Sequence, residues 1–144
     1  MIELHFVLAV DDDWPPVSVE GVPVTRTGDK FRVETPPLFI KKLSVGDVID
    51  VLEFDSENQV SSWKHHSFSN NSTIWLLCMG EPNNLEDVLP KLEVLGCKVI
   101  QLSGQGCYSI NVPESCDIGD VDSCLAALDE SKIAIAYPSF RHPD

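Results

Sequence analysis

The hydrophobic pattern of this chain changes period near residue 72, and that change limits its possible folds more than any other feature. Before it, apolar residues alternate with polar ones in short runs, the two-residue period of strands that bury one face. "VSVEGVPVTR" (17–26) alternates Val17 and Val19, then Val22 and Val24 after a break at Gly21. "KFRVET" (30–35) alternates Phe31 and Val33 after a Thr-Gly-Asp turn, where glycine tolerates a positive φ. "IELHFVLAV" (2–10), "VGDVIDVLEF" (45–54) and "QVSSWKHH" (59–66) complete a set of five strands with no helical period. "TPPLFIKKLS" (35–44) is excluded as a central strand, because Pro36 and Pro37 donate no ladder hydrogen bond. Such a set predicts a small antiparallel barrel or curled sheet.

After the change, "TIWLLCM" (73–79) is a continuous apolar run, as in a strand buried on both faces. "EPNNLEDVLPKLEVLG" (81–96) offers Asn84 as an N-cap, Asp87 three residues on, and Leu85, Val88, Leu89, Leu92 and Leu95 on one face, with Gly96 as the stop. Pro90 conflicts with an uninterrupted helix, so a kink or a later start is expected. "CKVIQLS" (97–103) and "CYSINVP" (107–113) read as strands around Gly-Gln-Gly. A helix from Asp117 to Ser131, with Ile118, Val121, Leu125 and Leu128 in register, precedes the last strand, "KIAIAYPSF" (132–140). Strand, helix, strand, strand, helix, strand is the ferredoxin-like βαββαβ order, helices on one face. The predicted class is α+β: a small β-barrel-like half (1–72) and a ferredoxin-like half (73–144). Only eight polar residues, "HSFSNNST" (66–73), mark the boundary, so the halves are expected to pack as one unit.

At 144 residues the chain is long enough for its own core and needs no disulfide or metal scaffold. Its five cysteines, Cys78, Cys97, Cys107, Cys116 and Cys124, are odd in number and contain no C-x-x-C pair, which favours reduced, mostly buried thiols. No apolar run is long enough to span a bilayer, and the first residues lack the basic flank and cleavage site of a secretory signal. A cytoplasmic protein is expected. Formal charge is −13, split −6 (6 basic, 12 acidic) before residue 73 and −7 (4 basic, 11 acidic) after it. A field of that sign disfavours nucleic acid and anionic membrane and attracts basic surfaces.

Several groups invite a chemical role. Asp11, Asp12 and Asp13 precede Trp14 and two prolines. Adjacent carboxylates on an extended chain point to opposite sides, so they make a poor cation cage and suit either a solvated turn or a rim facing a basic partner. Trp14 supplies a stiff apolar neighbour of the kind interface anchors use. His65 and His66 face opposite sides of a strand, with His5 and His142 distant, which argues against a zinc site. "SGQGCYS" (103–109) places Cys107 after two glycines, but a nucleophilic thiol needs a cation or helix N-terminus that a β-hairpin does not supply. No metal, cofactor or catalytic set is expected.

The succession "DDDWPPVSVE", "GDKFRVETPPLFIKKLSVGDVIDV", "NNSTIWLL", "LEDVLPKLEVLGCKV" and "YSINVPESCDIGDVDSCLAAL" resembles the bacterial domain-of-unknown-function 4265 family through about residue 130. The resemblance implies the two-part architecture and a bacterial origin, and proteins of this size and type often accompany polymorphic toxins as accessory or immunity proteins. "HHSFSNNST" departs from the family's Ser-Gly-His approach, so no family histidine is carried onto this chain. Charge, size and resemblance together lead to an expectation: a non-enzymatic acidic binding protein, an immunity protein blocking a cognate basic toxin of nuclease type. The expected contacts are Asp11, Asp12, Asp13 and Trp14, with Asp55 and Glu57 from the second strand pair's turn. The competing expectation is a ligand-sensing regulatory domain that binds a small metabolite as a dimer.

Overall fold

The computed structural model describes residues 1–81, 83–102, 104 and 106–143. Its first five strands are β1 (Ile2–Val7), β2 (Val19–Thr27), β3 (Lys30–Val33), β4 (Val48–Phe54) and β5 (Val60–Ser67), antiparallel neighbours in sequence order. The sheet curls until β5 returns beside β1, where Phe6 meets Val60 in a parallel bridge. The alternation read from the sequence puts Leu4, Phe6, Val22, Val24, Val33, Ile49 and Val60 inside, joined by Ile40 and Leu43 from the proline-rich segment. Two strands begin later than expected. β2 starts at Val19 because Pro15 and Pro16 belong to the preceding corner, and β4 starts at Val48 because Val45 to Asp47 form a turn with Gly46 at φ +87°.

The second half follows the expected order: β6 (Ser72–Cys78), α1 (Leu85–Val94), β7 (Lys98–Leu102), β8 (Cys107–Val112), α2 (Ile118–Leu125) and β9 (Ile133–Ser139). Its strands form one antiparallel sheet in the order β7-β8-β6-β9. Ile74, Leu76, Ile110 and Val112 meet the apolar stripes of both helices, Leu85, Val88 and Leu92 from α1 and Val121 and Leu125 from α2. Ser103 and Gln105 of the expected hairpin turn lie outside the described residues.

Both helices differ from expectation in detail. Pro90 sits inside α1, on its exposed side, where water can take up the carbonyl that a proline leaves without a partner. Asn84 stands at the N-cap position without a capping bond; its side chain binds Ala127 O and Asp129 N instead, and Asn83 Oδ1 accepts the Leu85 N–H at 3.0 Å. α2 ends at Leu125 rather than Ser131. Asp129 accepts both the N–H and the hydroxyl of Ser131, a local turn that competes with further helix, though Leu128 is still buried.

The fold is thus α+β with mostly antiparallel strands and two separate apolar cores. The segment between β3 and β4 joins them, crossing the sheet face that the helices leave uncovered.

Candidate functional site

That joining segment is held from both sides. The buried Glu20 carboxylate accepts the backbone N–H groups of Leu38 (2.6 Å) and Phe39 (2.9 Å). Pro37 has no N–H to give, but its carbonyl accepts Trp75 Nε1–H at 2.8 Å and Ser109 Oγ–H at 2.7 Å from the sheet. Burial pushes the Glu20 carboxyl above its ordinary value, against the pull of its two N–H donors. The carboxylate is therefore a costly but fully used anchor, and it aims Leu38 and Phe39 across the sheet.

Beside this ridge lies an open cleft of about 340 Å³. Trp14, Leu38 and Phe39 wall it from the first half, and Trp75, Leu77, Cys107 and Ala136 are among the residues that wall it from the sheet. Trp14 meets Phe39 edge to face at 5.8 Å and is 48% exposed, so one side of its ring is packed and the other faces outward. Apolar walls with one large half-packed aromatic are what a binding hot spot needs before its partner arrives.

The three aspartates form the turn that delivers Trp14. Asp11 and Trp14 pair as an antiparallel bridge (2.9 and 3.0 Å), with Asp12 at φ +53° and Asp13 at φ +61° between them. Positive φ at both central positions is the signature of the tightest hairpin turns, and aspartate is among the few residues that tolerate it. All three carboxylates are exposed, and no salt bridge among the described residues includes them. Asp55 and Glu57 are placed elsewhere. Asp55 Oδ1 accepts the N–H groups of Glu57 and Gln59 (both 2.9 Å), so it serves its own turn, while Glu57 is exposed. That turn precedes the Phe6/Val60 bridge in a strand parallel to β1, whereas the aspartate corner follows β1. The six expected contacts thus fall into two groups towards opposite ends of β1, and of the six only Trp14 lines the cleft.

A second constellation went unnoticed in the sequence. Asp47 is fully buried and accepts five donors: Arg141 Nη1–H, Arg141 Nη2–H (2.8 Å), His65 Nε2–H (2.9 Å), Ser44 N–H (3.0 Å) and Ser69 N–H (2.8 Å). Burial pushes its carboxyl up, but Arg141, the two backbone donors and His65 together hold it below its ordinary 3.8. Phe68 stacks on His65 at 4.1 Å and lies under the Arg141 guanidinium at 5.1 Å. Next to it Ser72 Oγ–H donates to His142 Nδ1 (2.6 Å), because that oxygen already accepts the Arg141 and His142 N–H groups; His142 Nε2–H then donates to Pro113 O (2.8 Å).

An aspartate on a histidine, and a serine on a histidine, resemble parts of a hydrolytic set. Their placement differs from one. Among the described residues no hydroxyl or thiol bonds to His65, and Ser72 and His142 are both buried. These groups fix the C-terminal Arg141–His142 segment onto the first half and onto β6. No sequence signal pairs Arg141 with Asp47 across 94 residues; the nearest hint is "SVGD", a serine three residues before an aspartate that can cap a turn.

The Cys97 and Cys107 thiols are not activated. Burial raises Cys107, and burial with Cys116 and Cys124 as neighbours pushes Cys97 up to about 12. Among the described residues no cluster of three or more His, Cys, Asp or Glu side chains could hold a metal ion, and no helix is long and apolar enough to cross a membrane.

A family model described as a domain of unknown function (DUF4265) matches residues 20–135. A crystal structure of a hypothetical protein from Neisseria gonorrhoeae has a similar fold, with a TM-score of 0.74 and 18% identity over 99% of each chain. No curated protein matches the chain.

Proposed function

The chain belongs to the DUF4265 family, and from that premise we propose that it is a non-enzymatic binding protein, an immunity-type inhibitor of a basic bacterial toxin such as a nuclease. One observation carries the reading: three exposed aspartates, without salt-bridge partners among the described residues, form the tight turn that leads into a half-exposed tryptophan lining an apolar cleft. A nuclease groove is cationic, so an acidic surface speeds encounter, and an aromatic anchor that becomes buried supplies much of the affinity. The formal charge of −13 supports steering over the whole molecule. Asp55 and Glu57 are not among the residues that line the cleft.

The same reading takes the curled sheet as a small barrel and the second half as ferredoxin-like. The Phe6/Val60 bridge supports the first and the order β7-β8-β6-β9 the second. Thiols at Cys78, Cys97, Cys116 and Cys124 support a reducing, cytoplasmic setting.

Native mass spectrometry of the chain with the product of the neighbouring gene tests the proposal. A stoichiometric complex whose affinity falls as salt rises is expected; absence of a complex, or one indifferent to salt, rejects it. The cleft also favours a second reading, a regulatory domain that senses a small metabolite, since about 340 Å³ falls within the usual range of ligand sites. Stabilisation in a small-molecule thermal-shift screen separates the two readings by mass action.

A further inference from the structure

We propose that the cleft receives one apolar side chain, aromatic or long aliphatic, which the basic partner presents on a segment between cationic residues. This rests on the inhibitor reading above and specifies the partner's contact chemistry.

The argument starts from how charge and apolar surface divide at the site. Trp14, Leu38, Phe39, Trp75 and Leu77 offer apolar walls, so a charge placed deep in the cleft would lose its water without a counter-ion. The carboxylates stand outside, on a turn whose successive residues spread them over an exposed corner. A small free cation could meet only part of that corner. A peptide segment carrying several cations around one apolar group can meet the carboxylates and fill the cleft together, which complements the distribution seen here.

Titration calorimetry on the full chain tests this with three probes: an amidated pentapeptide with phenylalanine between paired arginines, the same peptide with glycine at the centre, and benzyltrimethylammonium. Burying the phenyl group makes the first bind about tenfold or more tighter than the second. Ala136→Leu, which adds bulk at an exposed position of the cleft wall, and Trp14→Ala, at an exposed position on the other wall, each erase that difference. Replacing Asp11, Asp12 and Asp13 by asparagine, which keeps the positive-φ turn, weakens both peptides and preserves their ratio. Equal affinity for the two peptides overturns the cleft occupant and leaves the charged-surface reading standing. No binding by either peptide removes both, and benzyltrimethylammonium binding as tightly as the phenylalanine peptide replaces the partner segment by a free small cation.

Discussion

The seam between the two halves has two ends, built from opposite chemistries. Near Ser72 and Thr73, at the start of β6, it is polar and closed: Asp47 is saturated by donors, and Ser44 Oγ bonds both Thr73 Oγ1 (3.1 Å) and Ser139 Oγ (2.7 Å). Near Trp75 and Leu77, towards the other end of the same strand, it is apolar and open. A buried ion pair adds little net stability over apolar packing, because desolvation offsets much of its attraction, but it tolerates only one geometry. The closed end therefore fixes how the halves meet. The open end keeps its apolar surface for something else to cover.

Breaking the closed end gives the largest expected effect. Arg141→Met leaves the Asp47 charge buried without its main counter-ion and is predicted to cost about 3–5 kcal/mol in urea unfolding. The double variant Asp47→Asn with Arg141→Met removes the stranded charge and recovers part of the loss; if both variants lose equally, the pair is not what sets that cost.

Acid sharpens the same contrast. The folded-state pKa of Asp47 lies below its ordinary 3.8, so its contribution is fully present above 3.8 and is lost as pH falls through the lower folded value. Glu20, which anchors the ridge at the open end, works the other way. Its folded pKa lies above 4.5, so its contribution is fully present below 4.5 and fades as pH rises through the folded value. Melting temperature followed from neutral to acidic pH is predicted to fall less steeply on the acid side in Asp47→Asn, Asp50 and Asp129 keeping part of the fall because their carboxyls are also held below the ordinary value, and an unchanged fall would remove Asp47 from the account.

At the open end, stability and binding separate. Trp14→Ala changes stability by about 1 kcal/mol or less, because the ring is half exposed, yet it lowers affinity for the basic partner about tenfold or more. The triple replacement of Asp11, Asp12 and Asp13 by asparagine has the smallest effect on the fold, within about 0.5 kcal/mol in thermal unfolding. It reduces both the association rate and its salt dependence; stopped-flow association at two salt concentrations measures this, and an unchanged rate would make the corner a turn only.

The parts of this molecule governed by local periodicity were legible in the sequence. Alternation at Val22, Val24 and Val33 and the stripe Leu85, Val88, Leu92 placed both cores, since a two-residue or a helical period is written in neighbouring residues. Element ends were less so: α2 gives way after Leu125 to tighter backbone turns, Ala127 N–H to Cys124 O and Leu128 N–H to Leu125 O, although the apolar stripe continues to Leu128. The acidic corner reads from sequence as a solvated turn or a rim facing a basic partner, because adjacent carboxylates make a poor cation cage. The cleft was not legible, because its walls come from residues 14, 38–39, 75–77, 107–108 and 134–136, which only the folded seam brings together. Asp47 and Arg141 were missed for the same reason.

Three tryptophans make a direct test of where the partner binds. Trp14 and Trp75 wall the cleft, while Trp63 packs edge to face on Phe6 against the other core. In a two-dimensional nitrogen–proton correlation spectrum each gives its own indole signal. On adding the basic partner, the Trp14 and Trp75 signals are predicted to shift while Trp63 stays in place. A complex that forms with Trp14 and Trp75 unmoved would contradict the assignment of the open end of the seam as the binding site.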